Sequence, residues 1–172
     1  MGRVLAIDPG STESGFVLLG TKGELTKFDK IANETLLKVI RERAFDDSTS
    51  GYPPDLVMER IASYGMPVGE DIFCTIYWSG RLLEAANYMQ RSLVFRREVK
   101  LHLCASPKAN DAAIRQRLID LYGPGKDIAI GKKKKPGPLF GVTKDVWAAL
   151  ALGLSYQGGC PSTLVRDEAN GE

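Results

Sequence analysis

The chain opens on short apolar runs separated by small polar residues. Arg3 to Asp8 and Phe16 to Leu19 flank the stretch Pro9-Gly10-Ser11-Thr12-Glu13-Ser14-Gly15, which predicts two antiparallel strands joined by a turn. A third strand, 24–31, follows the turn Thr21-Lys22-Gly23. Leu36, Leu37, Val39 and Ile40 then recur at helical spacing, with Asn33 as a candidate cap. After the Ser, Gly and Pro residues of 48–54, Asp55-Leu56-Val57-Met58-Glu59 reads as a short buried strand ending in a carboxylate. A long helix is predicted over 70–91, with Glu70 and Asp71 in its first turn as the helix dipole favours. Its apolar residues, among them Ile72, Phe73, Ile76, Trp78, Leu82 and Met89, cover more circumference than one sheet can bury. A fifth strand is expected within 93–103, a helix over 109–122 ending at Gly123-Pro124, and a buried, almost wholly apolar helix over 143–156. The Gly-, Pro- and Lys-rich segment 123–141 predicts a long loop, functional or mobile.

Three meandering strands, then helix, strand, helix, strand, helix and helix, define an α/β class with a five-stranded mixed sheet and helices on both faces. At 172 residues one hydrophobic core is expected, with 1–157 as the domain and 158–172 as a flexible tail. Apolar residues make up 44% and charged ones 26%, a globular composition that argues against a disordered chain and a membrane protein. The N-terminus enters a strand without the apolar core of a signal peptide, so a cytoplasmic location is expected. Cys74, Cys104 and Cys160 are odd in number and widely spaced, and His102 is the single histidine, which indicates neither a disulfide framework nor a zinc site.

The net charge of +2 hides an asymmetry. Residues 1–86 hold 9 Lys and Arg against 13 Asp and Glu, whereas 87–157 hold 13 against 5. A clustered cationic half suits a polyanion partner through counterion release, and a solvated basic face is the alternative.

Three carboxylates occupy comparable places. Asp8 ends the first strand, Glu59 ends the fourth, and Asp145 lies in the first turn of the last helix. If the first and fourth strands are neighbours and the last helix crosses their ends, the acids converge. Converging acids need a cation, and oxygen donors without His or Cys suit Mg²⁺ or Mn²⁺. That arrangement serves two-metal phosphodiester hydrolysis. Singly, each acid also has a structural account: Asp8 as a turn residue before Pro-Gly, Asp145 as a dipole-favoured residue, Glu59 as a partner of Arg60 or Arg81.

Val4-Leu5-Ala6-Ile7-Asp8-Pro9-Gly10, followed by Gly15-Phe16, resembles the opening of RuvC-type Holliday junction resolvases, which have the RNase H-like fold. Val57-Met58-Glu59 is similar to their second acidic strand, and Asp145-Val146-Trp147-Ala148-Ala149-Leu150 to their final acidic helix. The segment 63–69, with Lys108, Asp111 and Ile114-Arg115, looks closer to phage or prophage relatives. The resemblance spans 3–157. It implies Mg²⁺-dependent paired nicking of four-way DNA junctions by a homodimer in a bacterial or phage-infected cytoplasm. Asp8, Glu59 and Asp145 would be catalytic and would hold two ions, and the 70–91 helix would form the dimer contact. Flap, fork or RNA–DNA hybrid cleavage by the same fold, or nucleic-acid binding without cleavage, are the alternatives.

Two positions depart from the family pattern. Val142 stands where a fourth acid is usual, with Asp111 either a substitute or a dipole-favoured helix residue. Ala62 stands where cellular resolvases carry a wedging Phe, with Tyr64, Met66 and Phe73 as candidate replacements. Lys132, Lys133, Lys134 and Lys135 are a solvated charge run on their own. Beside a phosphodiesterase site they become expected backbone contacts, together with Lys108 and Arg115. The stretch 125–132 only superficially resembles a phosphate-binding P-loop, because Lys133 replaces the required Ser or Thr and no helix is expected after it.

Overall fold

The computed structural model describes residues 2–63, 65 and 67–166. Its strands are β1 (Val4–Asp8), β2 (Glu13–Leu19), β3 (Leu25–Ala32), β4 (Asp55–Arg60), β5 (Arg91–Phe95), β6 (Gly131–Lys132), β7 (Lys135–Pro136) and β8 (Thr163–Leu164). The helices are α1 (Asn33–Arg41), α2 (Glu70–Ala85), α3 (Arg96–Cys104), α4 (Asp111–Tyr122), α5 (Lys126–Ala129) and α6 (Lys144–Gln157). The main sheet runs β3-β2-β1-β4-β5-β8. β1 pairs antiparallel with β2 and parallel with β4, β5 joins β4 in parallel, and β8 closes the edge antiparallel to β5. The mixed α/β class holds, with six strands in place of the expected five.

Side chains on a strand alternate between faces, and here the alternation separates two cores. Leu5, Ile7, Leu56 and Met58 face the layer built by α1 and α2. Val4, Ala6, Val57 and Val94 face the layer of α3, α4 and α6. Helix α6 lies tight on this second face because its inward residues are small. A Cβ on Gly153 would come within 2.9 Å of Leu19 Cδ1 and 3.0 Å of the Ala6 Cβ.

Several elements differ from the sequence reading. Helix α2 ends at Ala85 rather than near Arg91, because the chain must reverse to enter β5 beside β4. The expected strand over 93–103 is only its first part: Phe95 ends β5, and Val99 and Leu103 are buried one helical turn apart on α3. His102 therefore sits exposed on a helix rather than in or beside a strand. The lysine segment is built rather than loose. β6 and β7 form a hairpin with Lys133 and Lys134 at its tip. Gly131 (φ +70°) and Gly137 leave no room for a Cβ against Lys135 and against the Ile128 and Ala129 carbonyls, and Leu139 is fully buried. Past Gln157 the chain stays docked through Val165, with Cys160 buried and the Val165 N–H donating to the Arg91 carbonyl.

Asn33 does not cap α1, since Ala32 takes the cap position. It is a buried strut instead. The Ser14 hydroxyl donates to Asn33 Oδ1 (2.6 Å), Asn33 Nδ2 donates to the Gly10 carbonyl (2.9 Å), and the Gly10 N–H donates to Ser14 Oγ (3.3 Å). This closed ring fixes the loop that follows Asp8.

Candidate active site

Alternation and register assemble the acids before any side-chain contact is considered. Asp8 shares the parity of Val4 and Ala6, and Glu59 that of Val57, so both point to the α6 face. β1 pairs Ile7 with Met58, and one step further sets Asp8 beside Glu59. On the other side Asp8 pairs with Gly15, and Gly15 with Lys30. Lys30, Gly15, Asp8 and Glu59 thus form one row across four strands, under the first turn of α6. The glycine in this row is a steric requirement. A Cβ there would sit 2.8 Å from the carbonyl carbon and oxygen of Asp145 and 3.0 Å from its Cβ.

Asp8, Glu59, Asp111 and Asp145 line one cleft of about 620 Å³, together with Arg96, Arg115, Lys144 and Trp147. Asp111, the first residue of α4, is therefore in the acid group, and Val142 lines the cleft as an apolar wall. Two cations not anticipated from the sequence hold the acids. Arg96 donates from Nη1 to Glu59 Oε2 (3.4 Å) and from Nη2 to Asp111 Oδ1 (2.7 Å). Lys30 pairs with Asp145 Oδ2 (2.8 Å) and Glu13 Oε2 (3.4 Å). Neither Arg60 nor Arg81 is the partner of Glu59: Arg60 lies over the Phe95 ring, and Arg81 pairs with Glu34.

Burial and like charge strain this group. Desolvation first, then Glu59, Asp145 and Asp111, push the Asp8 carboxyl up to about 7 against the opposing pull of Arg96. Burial likewise raises Glu59, with Arg96 offsetting part of the rise. Among the described residues no three His, Cys, Asp or Glu side chains stand close enough together to hold a metal ion, the acids being closed instead on Arg96 and Lys30.

The remaining sequence candidates divide. Arg115 lines the cleft and lies over the Trp147 ring (4.9 Å). Lys108 is exposed in the turn before α4, and Lys132 to Lys135 are exposed on the hairpin, outside the lining of the cleft. Phe73 is exposed on α2, whereas Tyr64 and Met66 lie outside the described residues. Arg96 and Lys30 carry no local signal. Pairing the first hairpin from its turn would have placed Lys30 two strands from Asp8. Ending β5 at Phe95 would have placed Arg96 at the same sheet edge as Glu59.

No known protein-family profile and no curated protein matches this chain. Among solved structures it is similar to RuvC of Thermus thermophilus, at 16% identity and a TM-score of 0.65, over 95% of this chain and 99% of that one. It is equally similar to T. thermophilus RuvC in complex with a Holliday junction substrate, at 16% identity and a TM-score of 0.65, over 96% and 100%. The likeness shows a RuvC-like fold over 95–96% of the chain, consistent with the RNase H-like fold expected from the sequence. Among the described residues no helix is long and apolar enough to cross a membrane.

The raised Asp8 carboxyl sets a pH dependence. The folded state holds this proton more tightly than the unfolded chain, whose carboxyl stays near 3.8. The Asp8 contribution therefore falls as pH rises from about 4 to about 7 and is flat above, by a few kcal/mol at most. Asp8→Asn removes that loss. In metal-free buffer the variant is expected to be more stable than the natural chain at pH 8, with the gap closing towards pH 4. Urea unfolding across that range measures it, and a pH-independent gap would show that Asp8 titrates alike in the folded and unfolded chain.

Proposed function

We propose that this chain is a divalent-cation-dependent endonuclease that resolves four-way DNA junctions by paired nicking. The observation that carries the reading is the row of Asp8 and Glu59 beneath Asp145, in a fold shared over 96% of this chain with a protein solved on a Holliday junction. The segment 63–69 supports placing it in the phage or prophage branch, acting in the cytoplasm of a bacterium or an infected host.

The donors fit a hard cation. They are oxygen only, and a divalent ion would offset both the burial that chiefly raises Asp8 and the repulsion from its neighbouring acids. Asp8, Glu59 and Asp145 would hold Mg²⁺, or Mn²⁺ in its place. Such an ion supplies a water ionisable near neutral pH and charge stabilisation at the reacting phosphate. Arg96 orients the half-buried Glu59 and offsets part of the rise that burial imposes on it, and through Asp111 ties α4 to the site. Arg115, presented on Trp147, and the hairpin lysines hold the phosphate backbone without reading bases.

Paired nicking needs two sites related by symmetry. Ile72, Phe73, Ile76 and Tyr77 form an exposed apolar face on α2, opposite the side where Thr75, Ser79 and Leu82 are buried. This face is the proposed homodimer contact. The closure of the acids on Arg96 and Lys30 favours a second reading, a relative that binds branched DNA without cutting it.

A labelled four-way junction, with flap and RNA–DNA hybrid controls, titrated with Mg²⁺ separates these readings. Asp8→Asn, Glu59→Gln and Asp145→Asn are each expected to lower cleavage by several orders of magnitude while junction affinity survives. Undiminished cleavage by Asp8→Asn would sink the site assignment, and binding with no cutting by the natural chain would favour the second reading. Replacing Lys132 to Lys135 by Ala is expected to flatten the salt dependence of junction binding, by about 0.9 in log–log slope per lost phosphate contact. Superimposable slopes would reduce the hairpin to a solvated surface feature. Sedimentation is expected to show two protomers per junction, and a monomer at tens of micromolar, on the order of concentrations that populate weak interfaces, would remove the dimer.

A further inference from the structure

The negative charge of the site is met in part from within the chain. Four carboxylates, Asp8, Glu59, Asp111 and Asp145, share the cleft. Arg96 bridges Glu59 and Asp111 at one end. At the other end Lys30 reaches Asp145 at 2.8 Å and is held from a second side by Glu13 at 3.4 Å. The position of Lys30 is fixed by backbone register, not by side-chain chance. It stands opposite Gly15, which stands opposite Asp8, and Gly15 has no side chain.

Lys30 and Arg96 already pair directly with four carboxylates, Asp145, Glu13, Glu59 and Asp111. Lys144 and Arg115 also line the cleft and add positive charge to it. A divalent ion placed at Asp145 would meet an ammonium already on that carboxylate.

We propose that the Lys30 ammonium takes the place of one divalent ion at Asp145, so that the site binds a single ion, held chiefly from Asp8 and Glu59. The proposal rests on the metal-dependent reading above and revises its expected ion count from two to one. It makes Lys30 a positioning residue for Asp145 and a determinant of metal stoichiometry.

The test counts bound Mn²⁺ per protomer by electron paramagnetic resonance of the free ion. It uses the full chain, alone and on a four-way junction with phosphorothioate linkages at the branch, with the junction alone as blank. The natural chain and Lys30→Arg are expected to bind one Mn²⁺, and Lys30→Met two. Lys30 is partly exposed, and urea unfolding of Lys30→Met checks that the fold is kept. Two ions on the natural chain, or one ion on Lys30→Met that Asp8→Asn abolishes, would overturn the proposal while leaving metal dependence intact. No bound ion on any of these chains would overturn metal dependence and the proposal together.

Discussion

A missing side chain at position 15 governs how the rest of the site is built. The first turn of α6 rests directly on the sheet there, and any Cβ would collide with the backbone of Asp145. The same helix is drawn down further along by Gly153, which lies against Ala6 and Leu19. With α6 seated at both points, its N-terminal carboxylate is delivered over the row that register has already laid out. Displacing the helix by the width of a methyl group would leave the sheet intact and separate the third acid from the other two.

Grouping carboxylates at a sheet edge conflicts with the energetics of burial, because each ionised group loses hydration and repels its neighbours. The chain answers with cations from two elements that border the site, β3 and α3. Arg96 and Lys30 make the acids tolerable in the free protein. Their bonds also compete with any cation that arrives from solution. Folding and function therefore draw on the same carboxylates, and burial first, then the neighbouring acids, raise Asp8 against the pull of Arg96.

Much of this was legible in the sequence. Strand β1 reads directly from Val4-Leu5-Ala6-Ile7-Asp8, and its period-two pattern also fixes which face Asp8 occupies. The three acids were visible as ends of apolar runs. The region 93–103 misled because Val99, Leu101 and Leu103 fit alternation while Val99 and Leu103 also fit one helical turn. Docking of α3 against α6 decides between the two periods. Lys30 and Arg96 stayed hidden because an ion pair across strands depends on register, which no local window contains. The lysine hairpin was hidden for a different reason. Its strands are two residues each, and its shape rests on glycines packed against the carbonyls of Lys135, Ile128 and Ala129 rather than on any periodic pattern.

The acids also enter the fold at very different times. Asp8 lies on the first strand and Asp145 on the last helix, and α6 covers a sheet whose strands, β8 apart, all precede it in the chain. During synthesis at roughly 5–20 residues per second, β1 and β2 exist for on the order of ten seconds before α6 can leave the ribosome. Through that interval the apolar face carrying Val4, Ala6 and Val17 lacks its α6 cover, and the carboxylate row lacks its third member. The assembled constellation is thus a property of the finished chain: a nascent or prematurely released polypeptide presents Asp8 and Glu59 without the helix that completes them.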